Sequence, residues 1–101
     1  MKRKNLNKIL KKAKKFIPGI SGLLGKRPDM YLKDGNWPTY YSKAKGANVW
    51  DLDNNKYYDF SMFSAGTSVL GYADPDVNKA SIKAIKLGSI STLNPPEDVE
   101  L

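Results

Sequence analysis

The stretch over residues 43–76, KAKGANVWDLDNNKYYDFSMFSAGTSVLGYADPD, leaves this chain few ways to fold. It spells strand, tight turn, strand, small-residue loop and capped helix start. Residues 49–52 and 56–60 are rich in β-branched and aromatic side chains, which suit a pleated, half-buried surface. Between them sits Asp53-Asn54-Asn55. Asn tolerates positive φ better than most residues, so Asn54-Asn55 is expected to form a two-residue hairpin turn. The run 61–71 is dominated by small residues, with glycines at 66 and 71. Such a run lets backbone approach a ligand or a neighbouring chain closely. Asp74-Pro75-Asp76 then opens a helix with a capping side chain, a first-turn Pro and a negative charge at the positive end of the dipole.

Thr39-Tyr40-Tyr41-Ser42 reads as a further short strand, and Lys45-Gly46 turns it into the Trp50 strand. Three short antiparallel strands suffice for a small sheet with one buried face. Trp37, Tyr40 and Tyr41 are too large to leave bare, so they are expected to cover the hairpin. Helix 75–87 places Val77, Ser81, Ala84 and Ile85 on one face. Lys83 and Lys86 oppose its negative end, and Gly88 stops it. A last helix starts after Asn94-Pro95-Pro96, with Glu97, Asp98 and Glu100 in its first turn. One turn repays little of the cost of nucleation, so the sequence reads as truncated there.

The net charge of +7 belongs to one arm. Residues 1–16 carry eight Lys or Arg and no acid, whereas residues 17–101 carry nine basic and ten acidic side chains. Within KRKNLNKILKKAKKF, residues Leu6, Ile9, Leu10, Ala13 and Phe16 fall on one helical stripe with Lys opposite. The arm reads as a terminal helix docked through that stripe. A small basic-arm protein binding anionic membrane or nucleic acid is the alternative. Pro18-Gly19 interrupts the apolar run after the arm, which argues against a signal peptide. The chain has neither Cys nor His, which removes disulfides, thiolate metal sites and imidazole chemistry and fits a reducing, cytoplasmic setting. Asp51, Asp53 and Asp59 lack calcium-loop spacing and are read as turn and cross-strand groups.

Ala44-Lys45-Gly46, Trp50-Asp51, Asp53, Asn55, Tyr57, Asp59-Phe60, Leu70-Gly71, Pro75 and Val77, taken as one ordered string, resemble the N-terminal part of class III aminotransferases. The likeness is greatest to the glutamate-1-semialdehyde aminomutase branch and covers roughly residues 16–101. It implies an α/β chain, α+β locally: the N-terminal segment of a fold type I pyridoxal phosphate (PLP)-dependent transferase. The expected order is a basic helix (1–16), then an incomplete segment (17–101) with a small β-meander, helix 75–87 and the start of another. The resemblance further implies PLP in the full-length enzyme, a homodimer, the remainder of the fold as partner, and a small amino or carbonyl substrate.

In that family the Schiff-base lysine, the aspartate on the pyridine nitrogen and the phosphate-binding turn all lie beyond the point matched by Leu101. No catalytic, cofactor or metal residue is therefore expected in this chain. The resemblance leaves it one wall of a substrate pocket, with Ser64, Gly66, Ser91 and Thr92 as substrate-side candidates; turn and cap chemistry is their plainer reading. The loop after Asp59-Phe60 lacks the Trp of the aminomutases. A Ser-Pro-Val-Arg-like stretch is replaced by Ser21-Gly22-Leu23-Leu24-Gly25-Lys26-Arg27, where Lys26 or Arg27 is the candidate cation. Amino transfer to a sugar or another carbonyl compound fits as well as glutamate-1-semialdehyde.

Overall fold

The fold comes from a computed structural model that describes residues 1–32, 35–61 and 68–100. Helix α1 spans Lys4–Phe16, and single 3-10 turns follow at Leu24–Lys26 and Pro28–Met30. Strands β1 (Tyr41–Lys45), β2 (Asn48–Asp51) and β3 (Lys56–Tyr58) form an antiparallel sheet in the order β1-β2-β3. Helix α2 covers Pro75–Leu87, and a single turn, α3, covers Glu97–Glu100. The fold class and element order are those expected from the sequence.

Strand β1 begins at Tyr41, two residues later than the aromatic run suggested, with an irregularity between Tyr41 and Lys43. Gly46, at φ +57°, and Ala47 form the turn into β2. The second hairpin departs from expectation more clearly. Its loop is Leu52-Asp53-Asn54, closed by the Asn54 N–H on Asp51 O at 3.2 Å and the Asp51 N–H on Asn55 O at 3.0 Å. Only Asn54 takes a positive φ, +63°. A three-residue loop with one left-handed residue wins over a two-residue turn because Asp51 supplies a second set of acceptors inside the loop.

Period-two alternation separates the faces of the sheet. Val49, Asp51 and Tyr57 lie on the covered face, whereas Lys43, Lys45, Asn48, Trp50, Lys56 and Tyr58 share the other. Lys43 Nζ sits 4.5 Å from the centre of the Trp50 ring, and Lys56 Nζ lies 5.2 Å from that of Tyr58. Cation–π pairs of this kind order an otherwise open face.

Helix α1 has no capping side chain of its own, because Arg3 stands at its N-cap. The cap arrives from the hairpin loop: Asp53 accepts from the Asn5 and Leu6 N–H groups at 2.9 and 3.0 Å. Arg3 donates to Gly35 O and Asn36 O, and Asn55 Nδ2 to Lys2 O. Leu6, 1% exposed, is sealed beneath this junction. Replacing Asp53 with Ala is expected to cost about 1 kcal/mol, the usual worth of a cap. Helical content in residues 4–8 should fall while β1–β2 pairing stays intact, as read by amide exchange.

The stripe of α1 is only partly covered. Leu6 and Ala13 are buried, but Ile9 is exposed and Phe16 is 65% exposed. Tyr41 is likewise exposed rather than covering the hairpin. Trp37 instead stacks on Tyr31, with ring centres 4.0 Å apart. Among the described residues only Leu6, Ala13 and Asp51 are buried. The radius of gyration, 17.2 Å, exceeds the value of about 13 Å for a compact chain of this length. Every residue of α2 is exposed, including Val77 at 50%, Ile82 at 54% and Ile85 at 66%. The predicted apolar face of that helix exists, but no described residue covers it.

Candidate functional site

The most constrained polar group of the chain is the Asp51 carboxylate at the end of β2, 2% exposed. Its Oδ1 accepts from the Asp53 and Asn55 N–H groups, each at 2.9 Å. Its Oδ2 accepts from Asn55 Nδ2 at 2.8 Å and from the Tyr57 hydroxyl at 3.1 Å. Burial pushes this carboxyl up, but the hydrogen bonds from Asn55, Asp53 and Tyr57 outweigh it and hold it below its ordinary value. Tyr57 is pushed up, first by burial and then by its bond to the Asp51 carboxylate. Asp59 follows the same pattern: burial raises it, while Ser61 and the Tyr72 hydroxyl lower it further than burial raises it.

These carboxylates are structural. Asp51 has two local donors on each oxygen, and Asp59 is held by Ser61 on Oδ1 and by the Tyr72 hydroxyl on Oδ2, which leaves both with little basicity for proton transfer. No group of metal-ligating acids occurs among the described residues. A carboxyl held low in the folded chain adds stability above its unfolded value of about 3.8, and that contribution is lost as pH falls through the lower folded value. Tyr57, held high, contributes below about 10 and loses its contribution as pH rises past that point. Amide protection of the second hairpin should therefore be level from pH 5 to 9 and fall on both sides, the acid limb lying below about pH 4.

The second polar cluster lies where the chain returns to the sheet. Gly46 and Tyr72 exchange both backbone hydrogen bonds, at 2.8 and 3.0 Å. Beside this bridge is a groove bordered by Lys45, Asn48, Trp50, Leu70, Tyr72 and Pro75. Asn48 Oδ1 is shut off from solvent and accepts no hydrogen bond from any described residue. Asp74 caps α2, accepting from the Asp76 and Val77 N–H groups at 3.0 Å.

Ser64 and Gly66 fall outside the described residues. Ser91 and Thr92 are exposed in the loop after α2, and Ser91 Oγ accepts from the Leu93 N–H at 3.1 Å, a turn contact. Neither residue borders the groove beside the Gly46–Tyr72 bridge. Arg27 is engaged by Asp29 through two bonds, at 3.1 and 2.8 Å, so Lys26 is the less committed of the two candidate cations. Sequence reading missed the groove around Asn48, because its far wall comes from residues 70–75. A lone Asn at a strand start carries no local signal of being orphaned.

The chain superposes on an omega-transaminase from Sphaerobacter thermophilus with a TM-score of 0.73, at 24% identity, over 92% of its own length and 20% of that protein's. No protein-family model matches the chain. Over all 101 residues it is 36% identical to a glutamate-1-semialdehyde 2,1-aminomutase from Thermodesulfovibrio yellowstonii. It is 32% identical over 78 residues, 77% of its length, to a 3-aminobutyryl-CoA aminotransferase from Cloacimonas acidaminovorans. It spans 22% of the first of these relatives and 18% of the second. The chain is thus similar to one part of an aminomutase over its whole length and to one part of an aminotransferase over most of it. The match to the aminomutase includes the basic arm and gives no support to a separate anionic-surface protein.

The described residues do not fit PLP itself. The one long helix start after the sheet has its free amides filled by Asp74, so a phosphate there would meet a carboxylate. Lys43 and Lys56 are held over aromatic rings of the sheet, not beside a phosphate cradle. No step through the cofactor is assigned to these residues.

Proposed function

We propose that this chain forms part of a PLP-dependent enzyme that moves an amino group to or within a carbonyl substrate, as a glutamate-1-semialdehyde 2,1-aminomutase does. The observation that carries the reading is the 36% identity to such an aminomutase over all 101 residues of the chain. The exposed apolar face of α2 supports it, since burying three aliphatic side chains would stabilise an assembly by several kcal/mol, at ~1.5–3 kcal/mol each. The chain's role in this reading is scaffolding. It supplies a sheet and a capped helix against which the cofactor-bearing body packs, and Ser64, Gly66, Ser91 and Thr92 line the substrate side. The full assembly is a cytoplasmic homodimer that holds PLP through residues outside this chain. Among the described residues, no helix is long and apolar enough to cross a membrane.

Mixing the purified chain with a polypeptide comprising the unmatched remainder of the T. yellowstonii aminomutase tests this. With PLP added, amino transfer should appear in the mixture and be absent from the 101-residue chain alone. Absence of transfer in the mixture, with both polypeptides soluble, would count against the reading.

A further inference from the structure

Helix α1 is fastened at one end and charged along the rest. Asp53, Asn55 and the carbonyls of Gly35 and Asn36 hold its start. No side-chain hydrogen bond joins residues 7–16 to another described residue, and packing there rests on buried Ala13 and half-buried Leu10. Lys4, Lys8, Lys11, Lys12, Lys14 and Lys15 are all exposed, and the helix carries no acid. Residues three or four apart on a helix are neighbours, and like charges at that spacing repel. Six pairs meet it: Lys4–Lys8, Lys8–Lys11, Lys8–Lys12, Lys11–Lys14, Lys11–Lys15 and Lys12–Lys15. The helix dipole favours cations only in the last turn, where Lys14 and Lys15 stand. Among the described residues no acid forms an ion pair with any of these lysines, and Arg27–Asp29 is the pair the structure holds.

We propose that residues 8–16 form an ionic-strength switch: wound when salt screens the lysine ladder, frayed when it does not, with residues 4–7 clamped to the hairpin throughout. The inference is independent of the function proposed above. Its physical basis is the position of the charges. They lie in water, where the screening length is about 30 Å at 0.01 M salt and about 3 Å at 1 M. Neighbouring positions on a helix have Cβ atoms roughly 5–6 Å apart, so the repulsion is felt at the first concentration and lost at the second. The clamp does not share this dependence to the same degree, because its hydrogen bonds are short and local and it includes neutral carbonyl acceptors. Lys8 is the pivot of the ladder, since three of the six pairs include it.

Hydrogen exchange of the intact chain in sodium chloride from 10 mM to 1 M tests the switch. Amide protection over residues 9–16 should rise about ten-fold across that range, the summed effect of several weak repulsions, while residues 49–58 stay level. Lys8→Glu turns three repulsions into attractions. It should raise protection of residues 9–16 at 10 mM and flatten or reverse the response to salt. Lys8→Gln, of similar helix propensity but neutral, should fall between the two. Protection of residues 9–16 that is level with salt overturns the proposal, as does a Lys8→Glu chain that gains protection with salt as the parent does. A rise shared equally by residues 49–58 also overturns it, since that marks a general effect of salt on the fold. None of these outcomes bears on the amino-transfer reading.

Discussion

Replacing Asp51 with Ala should abolish the second hairpin and release α1 with it. Four donors lose their acceptor at once: two backbone N–H groups, Asn55 Nδ2 and the Tyr57 hydroxyl. Hydrogen bonds to a charged group contribute about 1.5–3 kcal/mol each, and donors left buried cost a similar amount. These values do not add fully, but a loss of about 3–5 kcal/mol is expected. A chain with three buried side chains among its described residues has little stability to set against that loss. The effect should propagate, because the loop that Asp51 shapes also carries Asp53, the cap of α1. Amide exchange should show protection vanishing in residues 49–58 and in the first turn of α1 together. Asp51→Asn should lose less, since a carbonyl oxygen still accepts from the loop. Loss confined to residues 51–55, with α1 unchanged, would show that hairpin and helix are not coupled.

That coupling also marks how far the sequence could be read. Helix α2 was legible to the residue, since Asp74-Pro75 and Gly88 are local signals and local chemistry decides both ends. The sheet was legible as three strands, because alternation and turn residues are local as well. The loop type was not. It depends on whether a carboxylate two or four residues earlier folds back onto the turn, and Asp51 reads in sequence as an ordinary strand residue. The cap of α1 was hidden for a stronger reason: helix and capping side chain are 47 residues apart, and nothing near Arg3 betrays the absence of a local cap. Trp37 and Tyr41 were misplaced because bulk predicts burial somewhere without naming the partner. Trp37 found Tyr31, and Tyr41 found none that hides it. For the candidate site, Ser91 makes a turn contact that its type suggests, whereas the surroundings of Asn48 come from the return of residues 70–75.

Replacing Gly71 with Val is expected to open that return. Gly71 sits at φ +89°, where an L side chain is strained whatever the space. A Cβ there would also lie 3.1 Å from Gly46 Cα and 3.3 Å from Gly46 C. Both neighbours are backbone atoms of a tight turn, so neither can swing aside as the end of a side chain would. Relief requires the two segments to separate by a few tenths of an ångström or more, and the Gly46–Tyr72 bonds stand directly in that path. Left-handed strain costs about 1–2 kcal/mol, and overpacking against fixed atoms typically costs about 1–3 kcal/mol more. The sum exceeds what two exposed-edge backbone bonds return, at about 1 kcal/mol each. Gly71→Val should therefore detach residues 70–74 from the sheet, seen as loss of protection at the Gly46 and Tyr72 amides. The Tyr72 hydroxyl would then leave Asp59, whose carboxyl should move back toward its ordinary value in a titration followed by NMR. Gly71→Ala should show the same direction with a smaller amplitude, since one methyl meets the same backbone with no branch. The second hairpin, which shares no atom with the bridge, should keep its protection in both variants. If the Gly46 and Tyr72 amides stay protected in Gly71→Val, the close approach of the two glycines is not what joins helix α2 to the sheet.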